Sequence, residues 1–354
     1  PEVLSYFTDL LREGIGNSSS AHAEGMKAQA LLKQARETVS MKLGCEPSEI
    51  IFTSGGTEGN NWILQRVVGD ASPGLAQRGL KPHILTSAIE HSSIMNTAEW
   101  LESSGMAEWD EVPATSDGLI EPAMLSRMIK PNTVLVSILH GNNEIGTIQD
   151  LRALGEVCRQ NKVLFHSDSC QTFCHEPFSV TDLPVDFMTL SGHKIRAPKG
   201  VGAVYMKKTI EMTSLLMGGK QERGLRPGTT SVELICAFAK ATEVWTPDAI
   251  GKTHAVREYA ITKLQEKIPG VRINGVAGSD KKAPTLCHVL SFTVPGIHSK
   301  DLHRELGFNG VACSTGAACG SGKSDSSAVL LGLGRDPKDA HQIRISFSPT
   351  SDRA

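Results

Sequence analysis

The chain has 354 residues, 40% of them hydrophobic and 21% charged, with a formal net charge of −2. That length supports a large core and two domains. The near-neutral balance, without a long run of Lys and Arg, disfavours nucleic acid or an anionic membrane surface as a partner. No apolar stretch reaches the length needed to cross a bilayer, and no signal-peptide pattern opens the chain. The eight cysteines (Cys45, Cys158, Cys170, Cys174, Cys236, Cys287, Cys313 and Cys319) are scattered. A chain of this length does not need disulfide staples, so a reducing compartment is the simpler expectation. Cys170 and Cys174 are four apart and near His166, but no second pair has similar spacing, and no metal site is expected.

Residues 1 to 15 read as a helix, followed by the turn cluster Gly16-Asn17-Ser18-Ser19-Ser20. Met26, Ala28, Leu31, Leu32, Ala35 and Val39 recur at helical spacing, which predicts an amphipathic helix over 24–43. Glu49 to Thr53 reads as a strand. Ser54-Gly55-Gly56-Thr57-Glu58-Gly59 then leads into the helical pattern Trp62, Ile63, Val67, Val68. Small residues between a strand and a helix leave backbone N–H groups facing an anion, aided by the helix dipole. The Gly-Lys-Ser/Thr ending of a Walker loop is absent.

His83 to Ser87 is a strand, followed by Glu90-His91-Ser92-Ser93 and a helix through Leu101. A His at that strand end faces either a ligand or a neighbouring carbonyl. Pro122 to Ile129 suggests a helix and Thr133 to Leu139 a strand, with His140-Gly141-Asn142-Asn143-Glu144 after it. Asp150 caps a helix carrying Leu151, Leu154 and Val157. Val163 to Phe165 is a strand ending in His166-Ser167-Asp168-Ser169-Cys170-Gln171. An Asp there is either a helix cap or the partner of a protonated ring nitrogen. Alternating strands and helices argue a parallel sheet covered on both faces, with polar clusters after the strands where such sheets bind ligands.

Ser191-Gly192-His193-Lys194 follows the apolar run Phe187 to Leu190 and precedes another strand, Val201 to Met206. A lysine at the end of a buried strand is expected to lose hydration, which lowers its pKa and sharpens its nucleophilicity. Taken alone, such a window more often holds a surface lysine in a turn. Pro227 closes this half. Helical patterns over about 231–267 lead into shorter strands at Val271 to Asn274, Val289 to Thr293 and Ile343 to Phe347. These predict a large domain over 1–240 and a smaller α+β domain over 241–354. The latter carries the small-residue loop Cys313-Ser314-Thr315-Gly316-Ala317-Ala318-Cys319-Gly320-Ser321-Gly322. An exposed thiol in such a loop is an oxidation liability unless it is used.

With TSGGTEGNN, IEHSS, NNEIGTIQD, HSDSCQ, SGHK, GLRPGT, STGAAC and IRIS in this order, the sequence resembles the cysteine desulfurases of the class-V aminotransferase family. It is most similar to the NifS/IscS-like group, which includes selenocysteine lyases. The resemblance runs from Gly16-Asn17 to about Ser348. It implies the α/β fold type I of aspartate aminotransferase, pyridoxal 5'-phosphate (PLP) as cofactor, and a homodimer.

By that resemblance Lys194 forms the Schiff base with PLP and moves the substrate's α-proton. His91 stacks on the ring and assists proton transfer, Asp168 pairs with the ring N–H, and Gln171 reaches the ring hydroxyl. Gly56, Thr57, Ser191 and His193 bind the phosphate, with Thr229 donated across the dimer interface. Asn143 and Arg344 hold the substrate carboxylate. Cys319 attacks the substrate sulfur, leaving a persulfide and alanine. The persulfide would pass to a sulfur-acceptor or scaffold protein, for iron–sulfur cluster or thio-cofactor supply, in the cytoplasm or a mitochondrial matrix.

The chain departs from the family pattern in several places. It starts after the family's N-terminal strand and ends soon after Arg344, so either its ends are trimmed or the small domain is reduced. Arg196-Ala197-Pro198 replaces Tyr-Gly-Pro, Ser169 replaces Ala, Lys220 stands for a third Gly, and Thr230 for a Glu. The competing readings are a selenocysteine lyase, a transaminase that would not need Cys319, and a non-catalytic scaffold for a sulfur-transfer partner.

Overall fold

The computed structural model describes residues 1–278, 283–316 and 326–352. Seven strands form one mixed sheet: β1 (Ile50–Thr53), β2 (His83–Ser87), β3 (Glu108–Val112), β4 (Thr133–Ser137), β5 (Leu164–Asp168), β6 (Phe187–Ser191) and β7 (Gly202–Met206), in the order β1-β7-β6-β5-β4-β2-β3. β7 runs antiparallel to both its neighbours; the other pairings are parallel. The carboxyl ends of β1, β2, β4, β5 and β6 therefore share one edge, the edge where open α/β sheets bind ligands.

The apolar strand residues divide between two cores by the two-residue period of a pleated strand. Ile50 and Phe52 join one core and Ile51 the other. The first core holds α1 (Glu2–Glu13), α2 (Ala23–Leu43), α5 (Pro122–Met128), α6 (Leu151–Asn161) and α7 (Val232–Val244). The second holds α3 (Gly56–Ala76) and α4 (Ser92–Ser103). α3 lies so close to the sheet that a Cβ on Gly59 would meet Thr189 and Val204 at 2.9 Å, so only glycine fits there. α8 (Pro247–Lys267) leads to a three-stranded antiparallel sheet of β8 (Arg272–Ile273), β9 (Val289–Thr293) and β10 (Ile343–Ser346), with β9 central. α9 (Ser299–Phe308) packs against β10, and α10 (Ala328–Gly332) is a short turn of helix. Residue 240, the expected domain division, falls inside α7, which packs on α1 and α2.

Two strands differ from the sequence expectation for identifiable reasons. β5 runs three residues past Phe165 because its polar residues are satisfied across the sheet. His166 is bonded to Ser137 Oγ and Thr189 Oγ1, and the Ser167 hydroxyl donates to the Ile138 carbonyl. β3 went unpredicted because Glu108-Trp109-Asp110-Glu111-Val112 is an acidic edge strand, buried only at Val112, so it carries no apolar run.

Candidate active site

At the carboxyl edge, four side chains from three elements form a hydrogen-bonded chain. Asp168, the last residue of β5, is buried. Asn60 Nδ2, on the first turns of α3, donates to Asp168 Oδ2 at 2.7 Å and to Ser93 Oγ at 2.8 Å. The Cys170 N–H donates to Asp168 Oδ1 at 3.0 Å. Ser93 Oγ lies 2.8 Å from His91 Nδ1, and the Ser93 N–H donates to the same nitrogen at 3.1 Å. Nδ1 is therefore an acceptor, so the ring proton belongs on Nε2. His91 caps α4 through this contact and borders a cleft of about 470 Å³ with Thr57, Asn61, Gln65 and Trp100.

Asp168 has no cationic hydrogen-bond partner among the described residues. Its charge is felt instead by Cys170, whose thiol is held well above its usual pKa by burial and by Asp168, and by Glu90. Burial pushes the Glu90 carboxyl up to about 8, against hydrogen bonds from Ser87 and the Leu139 N–H.

The amino end of α3 points at the same edge. Its cap residue Gly55 supplies no side-chain hydrogen bond, so the first N–H groups, those of Gly56 and Thr57 among them, remain available to an anion. A Cβ on Gly56 would meet Cys170 Sγ at 2.7 Å, so the helix end approaches the Asp168 turn as only glycine allows. Glu58 in the same first turn would oppose an anion, but Arg226 neutralises it through two hydrogen bonds of 2.9 and 3.1 Å. The segment around Arg226 is fixed by a second ion pair, Arg36 to Glu222 at 2.5 and 2.8 Å, and Glu222 also accepts from the Phe52 N–H. Glu222 and Arg223 both sit at positive φ, a strained turn held by these contacts. Thr229, three residues beyond Arg226, is exposed.

Ser191 ends β6, and its Oγ lies 2.9 Å from His193 Nδ1. Lys194 follows on the 3-10 turn Gly192–Ile195, which is pinned by the buried Ile195 side chain and by Trp245 Nε1 donating to the Ile195 carbonyl at 3.2 Å. The desolvated amine expected from the buried run is not what forms: the strand stops at Ser191, the turn lifts Lys194 outward, and Lys194 is exposed. Its charge nonetheless reaches Cys170, His175, His193 and His288, lowering the proton affinity of each.

The three-stranded sheet brings Arg344 of β10 to this edge, where its Nη1 donates to the Asn143 carbonyl at 2.9 Å. Neighbouring Glu144 is buried and accepts from Ser327 Oγ at 2.6 Å and from Gln342 Nε2. Cys319 lies outside the described residues.

The sequence reading did not single out Asn60, Glu90, Glu144, Arg226 or His288. Asn60 carried a signal, since it lies one helical turn beyond Gly56 on the α3 amino end. His288 carried none. Asn60 Oδ1, Ser169 Oγ, Glu90 Oε2 and His175 Nε2 are buried without a hydrogen-bond partner among the described residues. An anion-ready helix end, a lysine, and a carboxylate without a cation thus lie along one edge. That donor set fits a ligand carrying a phosphate, an amine-reactive carbonyl and a protonated ring nitrogen.

A family model described as aminotransferase class-V matches residues 1–354. The chain belongs to the aminotransferase class-V family. It is 35% identical over 351 residues to a cysteine desulfurase IscS of Clostridium botulinum, covering 98% of this chain and 86% of that protein. It is 36% identical over 350 residues to the cysteine desulfurase IscS of Methanosarcina thermophila, covering 98% and 83%, and 37% identical over 347 residues to the mitosomal cysteine desulfurase of Encephalitozoon cuniculi, covering 96% and 77%. Among solved structures, a NifS-like protein matches with a TM-score of 0.87 at 32% identity, covering 99% of this chain and 91% of that one. SspA in complex with cysteine matches with a TM-score of 0.83 at 31% identity, covering 99% and 96%. These matches agree with the resemblance and the fold expected from the sequence.

Proposed function

We propose that this chain is a PLP-dependent cysteine desulfurase that converts L-cysteine to L-alanine and delivers the sulfur as a persulfide on Cys319. The observation that carries the reading is the placement of Lys194, Asp168 and the open α3 end along one sheet edge, with Arg344 brought to it from the second sheet. Family membership and the cysteine desulfurase relatives support the same reaction.

PLP, when bound, would supply an electron sink for charge developing at the substrate α-carbon. Gly56, Thr57, Ser191 and His193 would hold its phosphate, joined by Thr229 of a second copy in a homodimer. Asp168 would hold the ring nitrogen protonated, with Asn60 fixing the carboxylate and linking it to His91 through Ser93. Gln171 would donate to the ring hydroxyl. Lys194 is the anchoring amine and the carrier of the α-proton. Asn143 and Arg344 orient the substrate carboxylate, Arg344 as a planar fork. The Cys319 thiolate attacks the substrate sulfur: an S–S bond forms as the substrate's C–S bond breaks, and the carbon gains a proton to become alanine. The acceptor of the persulfide is a sulfur-transfer or scaffold protein. The cytoplasm or an organelle matrix is the setting, since the relatives include mitosomal and mitochondrial proteins.

The test is turnover of L-cysteine and L-selenocysteine side by side with reductant, following alanine with sulfide or selenide. Wild type, Cys319→Ala and Lys194→Ala are compared. The expected result is cysteine turnover lost in both variants, with the bound-cofactor absorbance lost only in Lys194→Ala. Selenocysteine turnover with inert cysteine would assign a lyase instead. Amino-acid turnover that survives Cys319→Ala would assign a transaminase. A wild type that binds no PLP would leave only a scaffold.

A further inference from the structure

Gln171 is gripped from two sides by a buried histidine pair that the reaction as described does not use. His175 Nδ1 lies 2.7 Å from the Gln171 backbone carbonyl, which can only accept, so Nδ1 carries the proton. His288 Nε2 lies 2.9 Å from Gln171 Oε1. The two rings stack at 3.9 Å with 38° between their planes, and Trp245 meets His175 edge-on at 4.1 Å. Both histidines are buried. On the other side of His288, among the described residues Nδ1 faces only Cys287 Sγ, at 4.0 Å. A proton on Nε2 gains a carbonyl acceptor at 2.9 Å, and a proton on Nδ1 would gain a distant sulfur, so Nε2–H is the favoured tautomer. The Gln171 oxygen faces His288, and with Nε2–H as its donor the amide NH2 is left for another acceptor.

We infer that His288 is a positioning residue, which fixes the Gln171 amide so that its NH2 is presented to the hydroxyl of the bound PLP ring. This rests on the proposed function. The groups around His288 are His175, Lys194, Arg257 and Arg344, all able to carry positive charge. Burial, with these groups, holds His288 well below its usual value, and burial with Lys194 brings His175 down to about 4 against the Gln171 carbonyl, so both rings are neutral. The grip therefore does not switch between pH 6 and 9, the range in which the cofactor is titrated.

The experiment titrates PLP into apo-protein by absorbance and then follows the pH midpoint of the bound chromophore. An N–H donor stabilises the deprotonated ring oxygen, so losing it raises the midpoint. His288→Leu should weaken PLP binding about tenfold and raise the midpoint by about one pH unit, the size of one hydrogen bond to a charged group. His288→Gln, which keeps an N–H near the same place, should retain wild-type values. In a Gln171→Ala background His288→Leu should add nothing. A His288→Leu midpoint equal to wild type while Gln171→Ala shifts it would overturn the inference and leave the PLP reading intact. So would a His288→Gln as impaired as His288→Leu, or a full His288→Leu effect persisting in Gln171→Ala. A wild type that takes up no PLP overturns the proposed function itself.

Discussion

At the seven-stranded sheet, Asp168 is reached by Asn60, which also holds Ser93, which in turn holds His91, and the chain is largely buried. At the three-stranded sheet, Arg344 is half-buried and among the described residues has one side-chain hydrogen bond, to the Asn143 carbonyl. The first arrangement is over-determined: each group has its neighbours fixed by a strand, a helix cap or another side chain. The second is adjustable, since a guanidinium with one bond keeps donors free for a ligand. A cofactor that stays bound suits the rigid edge, and a substrate that enters and leaves suits the looser arm.

Substitutions that strike one region at a time test this division. The largest effect is expected at the rigid edge. Asp168→Asn keeps the shape but removes the charge that would hold a ring nitrogen protonated, and kcat should fall about 100-fold with KM nearly unchanged. A change in KM alone would show that Asp168 belongs to substrate binding and collapse the distinction. Arg344→Lys keeps the charge but loses the fork, so KM for the amino acid should rise about tenfold with a smaller change in kcat. A loss confined to kcat would show that the arm serves the chemical step just as the edge does.

Stability follows the same contrast. Glu222→Gln leaves Arg36 without a counter-charge in a pair whose carboxylate is 5% exposed, and the urea midpoint should drop by the equivalent of about 3 kcal/mol. Cofactor affinity should fall with it, because the pair braces the segment that carries Arg226 and Thr229. An unchanged midpoint would mean that the strained turn at Glu222 and Arg223 is held by something else.

The last effect is a slope rather than a step. Burial raises the Glu90 carboxyl from 4.5 to about 8. The unfolded chain gives up that proton first, so the favourable contribution is complete below pH 4.5 and is lost as pH rises towards 8. Glu90→Gln, neutral throughout, should flatten that part of the stability curve in urea titrations at about pH 5, 6.5 and 8. A mutant curve parallel to wild type would place the Glu90 titration outside this window.

The amino-acid sequence by itself determined the alternation of strands and helices, because buried strands and amphipathic helices write their period into the apolar residues. It also marked the polar clusters at Gly56, His91, Asp168 and Lys194 as small and polar residues directly after strands, although each window by itself is also open to a cap or turn reading. Only the tertiary structure decided which of them meet. Asn60 joins Asp168 to Ser93 through a contact 108 residues long in sequence, and Glu58 is neutralised from Arg226, 168 residues away. It also decided that β5 extends to Asp168, that Lys194 is exposed, and that His288 faces Gln171. These depend on what each side chain packs against, and a one-dimensional period carries no information about partners across a sheet.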